Sequence, residues 1–588
     1  MKRTASIFML ALLLVIPLQA ADTNMQKIYP VHSETAEAVR NLAISSGSHT
    51  PSSAGPWSQA ELLSMLRSID GRTFTKAEAE LYKALFEELS EGKHSSVSPD
   101  PGLSVNIEAT AHTSSSHFTD YDWIGGFGRA GDMNIPSPMV FLPYSITIGR
   151  GICMYSELQL GLNRTVQSQM NPIERGMEMT FSPMPFRTNI LFLPPSVLID
   201  FNMNFPYRAI IAAGSDEWYF SIGREKLSWG PGVSGNLMVG DQVPYHNNAR
   251  FCVFTDHFKY TFSVSSFIHP SNYTFEGDDG KTYIDLFFDQ DRERTGTKAF
   301  IAHRVELFAG KFTGALTEAI IYQSQSGALD LSVLSPMALF HNYYIRHNAN
   351  SMLSAEIEFA ASKHLSVYGV LLIDEFNFPT EFSDPSVPPP ALGFQLGATA
   401  SWVLEQGILS SKIEGVYTDP YLYIRDDGSR SGDGYGINAI IAFPDFINSP
   451  SSDIHFANYE LMFLGYRYGN DTVALCWNTS FRARAGYELE FDFTYLAKGV
   501  KDKYTRWKTG DFKRAPSTSQ GESYLIDSPG RDAVSHSLIF TLQGGCEVSE
   551  HMRIDASLRE ITVINAGNRS DGGCISDFQL TAKLSYTF

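Results

Sequence analysis

From about residue 103 to the C-terminus, apolar and polar residues alternate one by one. The last segment shows this most fully. Phe578, Leu580, Ala582, Leu584, Tyr586 and Phe588 alternate with Asp577, Gln579, Thr581, Lys583, Ser585 and Thr587. Successive side chains of a strand point to opposite faces, so the spacing predicts a strand with one apolar and one polar face. The same period sets Phe258, Tyr260, Phe262 and Val264 against Lys259, Thr261, Ser263 and Ser265. It also sets Tyr487, Leu489, Phe491, Phe493 and Tyr495 against Glu488, Glu490, Asp492 and Thr494, and Met552, Ile554, Ala556 and Leu558 against Arg553, Asp555, Ser557 and Arg559. A soluble sandwich alternates in the same way, so the period alone does not decide. The segments are, however, near the ten residues that a tilted membrane strand needs. Aromatic residues sit at their ends, where interface girdles lie. Stretches rich in Gly, Pro, Ser and acid at 277–294, 379–390 and 426–436 read as external loops. The expected fold is mainly β: an antiparallel outer-membrane β-barrel of roughly 16 to 18 strands over residues 101–588.

Upstream the period is helical. Residues 34–44 carry Ala36, Val39, Leu42 and Ala43 on one side. A second helix is expected over 57–69, after Pro56, with Leu62, Leu63, Leu66 and Ile69 as its stripe and Gly71 as its stop. A third, over 75–90, opens on a capping box, Thr75-Lys76-Ala77-Glu78. The polar stretch 94–101 links this unit onward, so 21–100 reads as a small periplasmic helical bundle with its linker. Before it, Lys2 and Arg3 precede the apolar run 7–16, Pro17 breaks that run, and Leu18-Gln19-Ala20 ends on a small residue. This is the pattern of a signal peptide cleaved after Ala20, and it supports export. No later run reaches about 18 apolar residues, so no membrane-spanning helix is expected.

Composition narrows the chemistry. Of 588 residues, 13% are aromatic and 19% charged, and the formal net charge is −19. That balance argues against nucleic acid, whose phosphates call for Lys and Arg. None of the five cysteines, Cys153, Cys252, Cys476, Cys546 and Cys574, falls in a CxxC pair. Zinc and thioredoxin-like readings therefore fail; export permits one bridge such as Cys546–Cys574, and the plainer reading is small residues packed in strands. No HExxH, phosphate-binding loop or dinucleotide fingerprint occurs, so no metal, cofactor or enzymatic activity is expected. Glu356 with Glu358, and Glu488 with Glu490 and Asp492, share strand faces, about 6.5–7 Å apart at i and i+2. Such pairs suit a glycosidase or a cation-attracting lumen. The plainer reading is a polar interior with Lys and Arg opposite.

The strongest local motif is Gly223-Arg224, then Trp229-Gly230-Pro231-Gly232, entered from a strand carrying Trp218, Phe220 and Ile222 on one face. Glycine admits positive φ and proline fixes φ, so the chain must turn here. Trp229 is then either an anchor beside a turn or, in a loop folded over the pore, a platform for a sugar ring.

At this motif the chain resembles the capsule assembly Wzi-like family, whose members carry a Gly-Arg…Trp-Gly-Pro-Gly element. Further similar segments follow in order: His303-Arg304-Val305-Glu306, Ser335-Pro336 before 341–344, Leu371 through Phe376, Gly393 through Gly397, Glu414 through Thr418, Pro420 through Tyr423, and Leu464 through Gly469. Where the family often reads Glu-Tyr-Thr, this chain has Glu414-Gly415-Val416-Tyr417-Thr418. The resemblance implies a monomeric 18-stranded barrel with a periplasmic helical bundle. It also implies a lectin-like role in holding surface or capsular polysaccharide, with Arg224, Trp229, Gly230, Pro231, Gly232 and Glu414 as motif positions. The terminal Phe588 resembles the signal read by the barrel-assembly machinery that inserts such chains into outer-membrane lipid. The alternative is a porin-like channel with an acidic, cation-preferring lumen.

Overall fold

The computed structural model describes residues 24–90, 97–115, 137–162, 186–190, 201–204, 208–267, 274–276, 282–284, 297–324, 335, 349–376, 390–424, 438–445, 458–503 and 531–588. The leader at 1–20, the stretches 341–344 and 426–436, and most of 277–294 and 379–390 lie outside the described residues.

Eighteen antiparallel strands close into a barrel. The first nine are β1 (Val97–Pro101, continued by Ser104–Ser114), β2 (Val140–Ile148), β3 (Ile152–Leu162), β4 (Phe201–Asn204, continued by Ala209–Gly214), β5 (Trp218–Glu225), β6 (His246–Phe254), β7 (Phe258–Phe267), β8 (Thr297–Ala309) and β9 (Phe312–Ser324). The second nine are β10 (Ala349–Ser362), β11 (Leu365–Glu375), β12 (Ala391–Val403), β13 (Gly407–Thr418), β14 (Thr472–Ala483), β15 (Tyr487–Lys498), β16 (Ser535–Ser549), β17 (Met552–Ile564) and β18 (Cys574–Thr587). The barrel closes where β18 pairs with β1, from Thr587↔Asn106 to Gln579↔Ser114. Closure pairs the first strand with the last, so neither is left as an open edge. The strand β1 begins at Val97, so part of the stretch read as linker already belongs to the wall: Val97–Pro101 pairs with β2.

The two faces of the wall decide what surrounds it. On β18, Leu580 and Leu584 point outward at 45% and 44% exposure, while Asp577, Gln579 and Thr581 point inward and are buried. On β15, Tyr487 and Leu489 are exposed and Thr494 is buried. A soluble sandwich would bury the apolar face and wet the polar one. Here the order is inverted, as a strand between lipid and an enclosed polar interior requires. Among the described residues, no helix is long and apolar enough to cross a membrane.

Tight turns join β2 to β3, β4 to β5, β6 to β7, β8 to β9, β10 to β11, β12 to β13, β14 to β15 and β16 to β17 at one end. The longer connections lie at the other end. The helices α1 (Glu34–Ser46), α2 (Gln59–Ser68) and α3 (Lys76–Ser90) sit across the tight-turn mouth. Asn24 Nδ2 donates to Gly149 O at 2.8 Å, Ser64 to Asp256 at 2.9 Å, and Arg484 to Glu80 at 3.0 Å; the backbone N–H of His364 donates to Ile44 O at 3.0 Å. The capping box closes as its sequence predicts: Glu78 N–H donates to Thr75 Oγ1 at 3.2 Å and Thr75 N–H to Glu78 Oε2 at 2.7 Å. Trp57 lies outside the second helix, whose cap is Ser58. It belongs to a two-residue strand paired with Ile28–Tyr29, because the chain is still extended as it leaves the lumen.

All five cysteines are free. Cys546 faces Ile554, which faces Leu584, whereas Cys574 faces Ile564. Leu584 and Cys574 are ten residues apart along β18, about 33 Å, so the Cys546–Cys574 bridge does not form.

Candidate functional site: a plug locked inside the barrel

After β5 the chain does not leave the barrel. Residues 226–245 fold into the lumen and meet the N-terminal segment 50–58 coming from the opposite mouth. Ser228–Trp229 pairs with Ala54–Gly55, Trp229 bridges to Val239, and Gly230 N–H donates to Ser53 O at 3.2 Å. The residues that turn the chain are those the motif singled out. Gly230 sits at φ +130°, and a Cβ there would lie 2.5 Å from Asn236 Oδ1. Gly232 N–H donates to that same oxygen at 2.8 Å, with Pro231 between them. Trp229 is 1% exposed and packs against Phe300 at 6.1 Å between ring centroids. It is a buried anchor, so no face of its indole is free for a sugar. Arg224 meets the plug at the last residue of its loop, Tyr245. It lies on the outward face of β5, with its guanidinium 4.0 Å from the Tyr245 ring centroid and a hydrogen bond to Asn247 at 3.2 Å.

Glu414, on the inward face of β13 and 1% exposed, holds the loop in place. Its carboxylate accepts from Val233 N–H at 2.8 Å, Ser234 N–H at 3.1 Å, the Ser234 hydroxyl, Tyr368 OH at 2.5 Å and Gln395 Nε2 at 2.8 Å. Donors converging on a buried carboxylate satisfy a charge that would otherwise be costly to bury. The row Tyr368–Gly397–Glu414 runs straight across β11, β12 and β13. The middle position must be glycine, since a Cβ on Gly397 would lie 2.4 Å from the Tyr368 ring. The missing side chain lets the tyrosine reach across one strand to the carboxylate.

The plug continues through the long connection after β13. Ser234 Oγ lies 2.9 Å from Tyr466 OH. Tyr423 OH donates to Leu237 O at 2.5 Å and accepts from Tyr466 N–H at 3.0 Å, while Asp374 accepts from Tyr423 N–H at 3.0 Å. Asp241 joins the two loops and the N-terminal segment, accepting Arg467 Nη2 at 2.8 Å and lying 3.0 Å from His32 Nε2. Burial pushes the Asp241 carboxyl up, but Arg467 and His32 outweigh it and hold it far below the usual range. Leu237, Met238, Val239, Leu422, Ile440 and Leu464 fill the space between.

Nearer the tight turns, charge replaces apolar packing. Lys259 Nζ lies 2.5 Å from Glu61 on α2 and donates to Ser52 Oγ at 3.0 Å and Ala54 O at 2.9 Å. Arg304 donates to Glu356 at 2.5 and 2.9 Å and to Ser53 Oγ at 3.2 Å, and Ser52 Oγ donates to Glu306 at 2.8 Å. Both inward carboxylates of β10 are thus matched by cations, since Glu358 pairs with Arg40 of α1 at 2.6 Å.

Trp229, Gly230 and Glu414 stand out in the sequence as motif positions. Nothing in the motif joins them to each other, to Tyr368 or to Ser234. The available signal was the glycine at 397 inside an otherwise filled strand, which marks a close approach.

No family model matches the chain, and no curated protein matches it by sequence. Among solved structures it is similar to Wzi, an outer-membrane protein involved in group 1 capsule assembly in Escherichia coli and a carbohydrate-binding β-barrel. The likeness covers 97% of this chain and 100% of that one, at 12% identity and a TM-score of 0.53. An anion-selective porin from Comamonas acidovorans aligns over 84% of this chain and 100% of its own, at 10% identity and TM-score 0.34. OccAB4 of Acinetobacter baumannii aligns over 83% and 98%, at 10% identity and TM-score 0.36. At these identities the likeness is one of fold, that of outer-membrane barrels.

Proposed function

We propose that this chain is a surface-glycan barrel: it binds or organises extracellular polysaccharide in a lectin-like way, with its long connections outward and its helices in the periplasm. The observation that carries the reading is the plug. Loops from the long-connection end fold inward, are tied to the wall through Glu414 and Asp374, and pack against a segment from the opposite mouth. A lumen filled in this way favours holding a ligand at the surface over passing solutes. The resemblance carried by the Trp-Gly-Pro-Gly element and the shared fold with Wzi point the same way. The orientation follows from the general rule that tight turns face the periplasm. The test is binding of surface and capsular polysaccharides to refolded full-length protein on a glycan array. Binding that survives Arg224→Ala but falls when the 226–245 loop is unpinned by Glu414→Ala supports the reading; no binding to any extracellular glycan removes it.

A second reading, a cation-preferring channel, is favoured by a different observation. The acidic face of β15 looks onto an unfilled space beside α1, lined by Glu488 and Glu490. Cation-selective conductance in a planar bilayer, lost in Glu490→Gln, is its expected signature.

A further inference from the structure

That space is a cavity of about 260 Å³ between α1 and the inner faces of β13 to β17, on the tight-turn side of the barrel. Its walls are set by the protein itself. Glu490 accepts from Asn478 Nδ2 at 2.6 Å and Gln543 Nε2 at 2.8 Å, which leaves further lone pairs for a guest. Glu37 and Asn41 of α1 face them, and Lys412 of β13 adds a cationic donor. Ser410, on the same inward face of β13, is 4% exposed, and its hydroxyl has no hydrogen-bond partner.

We propose that this cavity binds a single sugar residue, neutral or amino-substituted, and discriminates against uronic acids. The inference rests on the glycan reading above and adds a second subsite, at the opposite mouth from the surface loops. Size favours one ring over a chain, because the volume falls just below the roughly 300–1,000 Å³ of pockets for drug-sized ligands. Chemistry favours hydroxyls and ammonium groups, because the wall is rich in acceptors. Glu34, Glu488 and Asp555 join Glu37 and Glu490 to give five carboxylates, against Lys412 and Arg482 in the wall and Arg553, which pairs with Glu488 and, at 2.8 Å, with Asp555. That excess would repel a sugar carboxylate. Access is from the α1 side, where the Glu34 and Arg482 side chains at the rim are 85% and 49% exposed.

The test is isothermal titration of the full chain in detergent micelles with glucosamine, glucose and glucuronate. Glucosamine and glucose should bind, and glucuronate about ten-fold more weakly or not at all. Asn41→Trp, which fills the cavity from α1, and Glu490→Gln should each weaken glucosamine binding about ten-fold. Both should keep the heat-modifiable gel mobility of a closed barrel. Asn41→Leu is the milder variant should either of these fail to fold, and it should weaken binding in the same direction. The inference is overturned if no monosaccharide binds the wild type, if glucuronate binds as well as glucosamine, or if the folded variants bind unchanged. Polysaccharide binding without monosaccharide binding sinks this inference alone. Monosaccharide binding without polysaccharide binding upholds it and sinks the surface reading.

Discussion

At the scale of single residues, Glu414 and Trp229 carry the plug by different physics. Glu414 is an acceptor hub, so Glu414→Gln keeps the shape but turns one acceptor atom into a donor facing other donors. The plug should lose about 1–3 kcal/mol. Limited proteolysis should then cut within 226–245 while the barrel keeps its heat-modifiable mobility; an uncut loop would contradict the role given to the carboxylate. Trp229 is apolar bulk, and Trp229→Ala should cost about 3–5 kcal/mol by leaving a void against Phe300. A drop in the unfolding midpoint for Trp229→Ala, with little change for Arg224→Ala, would separate the buried anchor from the outward arginine. Gly397→Ala should act through Tyr368, whose ring its Cβ would strike, and cost about 1–3 kcal/mol by overpacking.

At the scale of elements, the N-terminal segment is held in the lumen by the charges around Lys259. Removing one partner with Lys259→Met leaves Glu61 buried without its cation and should cost about 3–5 kcal/mol; the double change with Glu61→Leu should recover part of that loss. A loss in the double variant equal to the sum of the losses in Lys259→Met and Glu61→Leu alone would show that the pair is not coupled. The same segment carries a pH dependence. Burial lowers the His49 pKa below 6.5, opposed by Gly310 O and Asp256 and aided by His257. An unfolded histidine therefore takes up its proton first as pH falls. Docking of the segment should be unaffected above about pH 6.5 and weaken below it. Hydrogen exchange of residues 48–52 across that range should show the trend, and His49→Gln should flatten it. Strands and helices were legible because each has its own period, and Thr75 and Glu78 marked a helix start three residues apart. The plug was not legible in this way. Val233, Tyr368, Gln395 and Glu414 lie far apart in the chain; the register of β11, β12 and β13 brings the last three together, and the inward fold of the 226–245 loop brings Val233. Trp229 could be read as platform or anchor because a sequence gives an aromatic residue's identity but not what covers it.

At the scale of the molecule, the wall and its contents have separate logics. The wall presents apolar side chains outward and polar ones inward, so a bilayer completes it. Its interior is sorted along the axis: apolar packing around the loops at the long-connection end, ion pairs toward the tight turns, and one unfilled acidic cavity beside α1. A plug held from both mouths suits a protein that displays its loops to a surface polymer. The most direct measurement is single-channel conductance of the full chain in a planar bilayer, beside a variant lacking residues 226–245. A plugged barrel should show no steady open state in the full chain and a stable conductance once the loop is removed. A steady ohmic conductance from the intact chain, equal to that of the deletion, would contradict it.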